Sequence, residues 1–138
     1  MKVAVTLLTV YLFLLTIATA TARDQRVDWA SLNQNFHQSL RLAASTFRVS
    51  YQWLHACAHS EGGHGFIYSN SGSGAFGPFQ FIRSTFYGNV GAAFQRAAAR
   101  GTAIPIGYER WDSYLGQSFT AAYMFSIGES YEWTGAAC

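Results

Sequence analysis

Charge is scarce in this chain. Charged residues make up 12% of its 138 positions, and nine bases against seven acids leave a net charge of +2. Such a balance offers no electrostatic footprint for nucleic acid, which needs a basic face to displace counterions from phosphate. Cysteine is also scarce. Two residues, Cys57 and Cys138, offer little to a metal site with the nearby histidines, because Cys138 is the last residue and the spacing fits no zinc pattern. No internal repeat, no linker and no low-complexity segment beyond a glycine-rich loop divides the sequence, so one domain is expected. Hydrophobic residues reach 50% and aromatics 17%, which suits a packed core and not a disordered chain.

The N-terminus reads as an export signal. Lys2 supplies a positive start, Val3 to Ile17 is an apolar run broken only by threonine, and Ala18-Thr19-Ala20 and Ala20-Thr21-Ala22 are small-x-small cleavage sites. Residues 1–22 are therefore read as a signal peptide and 23–138 as the domain. Membrane attachment would follow only if the segment stayed uncleaved. Export places the protein outside the cytoplasm, secreted, periplasmic or wall-associated. An even cysteine count in an exported chain points to one disulfide, Cys57–Cys138. A loop of about 80 residues closed this way stabilises by roughly 4–5 kcal/mol in the chain-entropy model.

Helical periodicity dominates the chain beyond the signal. Leu32, Phe36, Leu40, Ala43 and Phe47 form one apolar stripe from Trp29 onward, with Asp28 or Ser31 able to cap its start. Val49, Trp53, Leu54, Ala56 and Cys57 continue on a second helix, which Gly62-Gly63 stop. Phe66 to Ser69 is a candidate short strand and Asn70 to Gly74 a turn. Phe79, Ile82 and Phe86 open another helical face with Ser84 as its cap. Ala92 to Arg100 is an Ala-rich helix ended by Gly101. Asp112 can cap a last helix running to Ile127, with Gly128 after it. The Trp133 tail can pack beside the early helices or line a groove.

One stretch carries chemistry, His59 to Phe86. Glu61 lies in the last turn of its helix, four residues after Cys57 and on the same side. A helix C-terminus disfavours negative charge, which suits a carboxyl group that has to donate a proton. Of the seven acids, two precede the first helix and four lie at Glu109 or later, so Glu61 stands alone in this stretch. Glycosidic cleavage needs a proton delivered to the leaving oxygen. Flexible glycines allow close backbone approach to a ligand, and aromatic rings pack on sugar faces. The rival reading of Glu61 is a solvated end-of-helix residue. Gly72-Ser73-Gly74-Ala75-Phe76-Gly77 spells the dinucleotide fingerprint, but no strand–helix–strand unit surrounds it and no acid lies near position 97. His55 and His59 are one turn apart, a spacing that can bind zinc. No third ligand is evident, so neither a metal nor another cofactor is expected.

The same stretch resembles the lysozyme-like lytic transglycosylases, with their glutamate, Gly/Asn loop and Gly-x-x-Gln. Here those elements are Glu61, Gly62-Gly63 and Gly77-Pro78-Phe79-Gln80, followed by Arg83-Ser84-Thr85-Phe86. The cysteine layout, one before the glutamate and one at the chain end, is similar to resuscitation-promoting factors. The resemblance covers roughly residues 53 to 86, and more weakly Phe119 to Gly128 through Ala121-Ala122-Tyr123. It departs from the family where a serine usually follows the glutamate: here Ser60 precedes it and Gly62 follows. The resemblance implies a mainly α (α+β) lysozyme-like fold, with helices around a cleft and a short β-hairpin or loop region. It implies cleavage of the β-1,4 bond between N-acetylmuramic acid and N-acetylglucosamine, with Glu61 as general acid and base. Gln80, Asn70 and Ser73 are then candidates for hydrogen bonds to sugar, and Phe76, Phe79 and Tyr123 for apolar contact. Gln80 reads equally as a structural amide, and Tyr123 as core. The implied partner is peptidoglycan, acted on by a monomer. A lysozyme-type hydrolase using water, or an inactive glycan-binding domain, are the competing expectations.

Overall fold

A computed structural model describes residues 26–63, 72–133 and 138. The expected signal segment and the candidate strand at Phe66 to Ser69 lie outside them. Among the described residues the protein is mainly α-helical. Five helices run α1 (Trp29–Gln34), α2 (Phe36–Phe47), α3 (Tyr51–Gly62), α4 (Arg83–Ala99) and α5 (Tyr114–Ser126), followed by a 3-10 turn at Ser130–Glu132. None of them is long and apolar enough to cross a membrane.

The expected first helix is two. Asn35 adopts extended backbone (φ −123°, ψ 104°), and its side chain accepts a hydrogen bond from Gln38 N. A side chain able to cap a new helix competes with continuation of the old one, so the chain breaks and restarts. The apolar stripe survives the break. Phe36, Leu40, Ala43 and Phe47 are all buried, and the Ser39 hydroxyl donates to Leu32 O at 2.6 Å, tying α1 to α2.

α5 is the central helix. It packs most broadly on α2, next on α4, and also touches α1. Its residues are buried almost all round, as a helix surrounded by others must be. Phe119 meets Phe47 of α2 edge-on at 6.1 Å and Phe94 of α4 at the same distance. Gly116 lets the chain before α5 come close: a Cβ there would lie 2.5 Å from Arg110 O.

Capping differs from expectation at two helices. Ser113, not Asp112, caps α5 and accepts from Gly116 N, while Asp112 is held by Arg110. Asn33 reaches across from α1, its side-chain oxygen accepting from Ser113 Oγ and Leu115 N. Ser84 caps nothing. α4 starts two residues earlier, with Ile82 at its cap position and no side-chain cap, and continues without interruption through the Ala-rich segment.

The C-terminal tail closes the domain. Cys57 and Cys138 are disulfide-bonded, with Cα atoms 4.8 Å apart. Trp133 is buried, and its indole Nε1 donates to Phe79 O at 2.7 Å. Its ring packs against Phe79, Phe81 and Phe125. The tail therefore joins α3, the turn before α4, and the end of α5. Replacing both cysteines by alanine is expected to lower unfolding free energy by about 4 kcal/mol. Chemical denaturation of the variant beside the oxidised wild type measures it, and a loss under about 1 kcal/mol would contradict the tail's role.

Candidate functional site

α3 delivers Glu61 to the molecule's surface edge. Ser50 caps the start of the helix, accepting from Trp53 N, and Gly63 ends it in a left-handed conformation (φ 61°). Glu61 is half-buried in the last turn, with Cys57 fully buried one turn earlier. Among the described residues no donor or cation holds its carboxylate.

The next residue explains where Glu61 sits. A Cβ on Gly62 would lie 2.3 Å from Gly77 O and 2.6 Å from Pro78 O. Only a glycine lets the end of α3 rest directly on the backbone of the 77–80 turn. That turn is closed by an isolated antiparallel bridge between Phe76 and Phe81, with paired N–H···O bonds of 3.1 Å. Gln80 takes a left-handed backbone (φ 48°), and its Nε2 donates to Gly77 O at 2.9 Å. So the glutamate and the Gly-x-x-Gln segment, 16 residues apart in sequence from Glu61 to Gly77, are in backbone contact through Gly62.

The remaining candidates scatter. Phe79, expected to meet a sugar, is instead fully buried, its ring packed against Phe36, Phe81 and Trp133. Its carbonyl accepts from Trp133 Nε1, which holds the turn against the interior on the side of the ring. Phe76 is half-buried beside Trp111, ring centroids 5.2 Å apart. Ser73 is exposed, its hydroxyl accepting from Ala75 N at 3.3 Å. Tyr123 is half-buried against Phe47 and borders a groove of about 260 Å³ with Ala92, Gln95, Arg96 and Ala99, which contains none of the other candidates. Asn70 lies outside the described residues.

Histidines form a separate surface cluster. His37 of α2 and His55 of α3 have ring centroids 5.2 Å apart, and His37 Nδ1 lies 3.0 Å from Tyr51 Oη. Arg41 stacks over the Tyr51 ring at 4.5 Å. No group of three or more metal-ligating side chains occurs among the described residues. Desolvation lowers the pKa of His55, and the nearby His37, His59 and Arg41 lower it further.

The sequence carries no expectation for Trp111 or Tyr87, and gives Arg83 only as the start of the segment after the turn. Arg83 lies over both rings, 5.6 Å from Tyr87 and 5.5 Å from Trp111. The Arg110-Trp111-Asp112 triplet, an aromatic between opposite charges, was the available signal. Comparison with protein-family models, curated proteins and solved structures finds no match to this chain.

This geometry sets two expected outcomes. Gly62→Ala should destabilise by about 2–3 kcal/mol through overpacking against the turn, whereas Gly88→Ala, with open space around it in α4, should stabilise by about 1 kcal/mol. Urea melts of both variants check the contrast. For His55, a folded pKa below its ordinary value of 6.5 means that the unfolded chain binds the proton more readily. The thermal midpoint should therefore fall as pH drops below about 6.5. His55→Gln should fall less over the same range, as scanning calorimetry at stepped pH would show.

Proposed function

We propose that the protein is a peptidoglycan-cleaving glycosidase with a lysozyme-like fold, acting outside the cytoplasm as a lytic transglycosylase. The observation that carries this reading is the seating of Gly62 on the Gly77–Pro78 backbone, which brings Glu61 beside the Gly-x-x-Gln turn. The half-burial of Glu61 and the lack of a partner among the described residues leave its carboxyl group available to a ligand. The disulfide supports an oxidising location.

In this reading Glu61 protonates the oxygen bridging C1 of N-acetylmuramic acid to C4 of N-acetylglucosamine, and the C1–O4 bond breaks. The Glu61 carboxylate then takes the proton from the muramyl C6 hydroxyl, and that oxygen bonds to C1. A 1,6-anhydro sugar is released and Glu61 is again protonated. The substrate's own hydroxyl replaces the second carboxylate that hydrolases use. Two acids further along the chain support this route by being engaged in their own loop. Glu109 Oε2 accepts from Gly107 N at 2.9 Å, and Asp112 is paired bidentately with Arg110.

Glu61→Gln keeps the shape of the side chain and removes the proton. Clearing of purified peptidoglycan should drop by at least about a hundredfold, the usual worth of a general acid. Products of the wild type should carry anhydro-muramic ends by mass spectrometry. Undiminished clearing by the variant would refute the assignment, and hydrated reducing ends would place the reaction with the hydrolases.

A further inference from the structure

Three aromatic side chains from separate segments border one open pocket. Phe76 comes from the turn, Tyr87 from α4 and Trp111 from the loop before α5, with Arg110 and Asp112 on the rim. Its volume, about 320 Å³, lies at the lower end of small-ligand sites, which run from about 300 to 1,000 Å³.

The walls are fixed from behind. Trp111 Nε1 donates to Phe81 O at 3.2 Å. The buried Gln117 amide donates to both Phe76 O and Trp111 O, at 3.3 and 2.9 Å, pinning the two backbone segments that flank the opening. Arg83 bridges the Tyr87 and Trp111 rings. Tyr87 stays 48% exposed, a large ring held at a pocket mouth instead of in the core.

The rim chemistry selects the ligand class. The Arg110–Asp112 pair uses two of five guanidinium N–H donors and leaves carboxylate lone pairs to accept. Such a rim both donates and accepts, which fits hydroxyl groups. A phosphate would meet the Asp112 charge, and an apolar ligand would strip water from both ions without return. Apolar ring faces beside a donor–acceptor pair match a pyranose, with one C–H face and a girdle of hydroxyls.

We propose that this pocket binds one pyranose unit of a β-1,4-linked N-acetylhexosamine chain, at a subsite built from residues other than Glu61 and Gln80. The choice of an amino sugar rests on the function proposed above; the preference for a pyranose rests on the pocket alone.

The test is a titration of the Glu61→Gln protein with a β-1,4 N-acetylglucosamine tetrasaccharide, followed by the indole N–H resonances. Trp111 should shift saturably. Tyr87→Ala and Asp112→Asn, both at exposed positions that leave the core intact, should each weaken binding by about tenfold. An unmoved Trp111 resonance, or unchanged affinity in both variants, would overturn the subsite. Saturable binding at Trp111 in a protein whose wall clearing survives Glu61→Gln would keep the pocket and remove only the cleavage reading.

Discussion

A buried peptide carbonyl needs a partner, and Phe79 finds its partner 54 residues away in the Trp133 indole. Much of the described structure depends on that bond. It makes the turn before α4 part of the interior, with Phe79, Phe81 and Trp133 packed as one aromatic group against Phe36, Phe86 and Phe125. The turn is then a firm surface on which Gly62 rests. The disulfide reinforces the arrangement from the other end, because Cys57 belongs to the helix that carries Glu61. Helix, turn and tail hold one another, and none of the three has regular sheet to rely on among the described residues.

Much of the helical framework could be read directly. The stripe from Phe36 to Phe47 is buried as its spacing requires, and the glycines at 62–63, 101 and 128 fall where helices end. The disulfide followed from cysteine parity. The errors have local causes. Asn35 can sit inside a helix or cap the next one, and periodicity does not distinguish the two. Asp112 and Ser113 are adjacent and both able to cap; the nearby Arg110 takes the aspartate.

The site was harder to read. Proximity of Glu61 to the Gly-x-x-Gln segment was implied only by resemblance, and the structure gives it a physical basis in the missing Cβ of Gly62. The direction of each aromatic in the Phe76–Phe81 turn was not legible. Alternating rings in a tight turn look alike in sequence whether they face core or solvent, and the deciding contact with Trp133 is remote. The pocket under Trp111 was hidden for the same reason, since three segments far apart in sequence assemble it. Low overall charge gains meaning here: the described acids other than Asp28 and Glu61 lie in the loop before α5 or the tail after it.

The tail keeps the turn seated beneath Glu61. Hydrogen exchange of the 76–82 and 57–63 segments, compared in oxidised and reduced protein, tests it most directly. Protection should fall in both segments together on reduction, while α2 stays protected. If the turn keeps its protection after the disulfide is opened, the tail is not what holds it beneath Glu61.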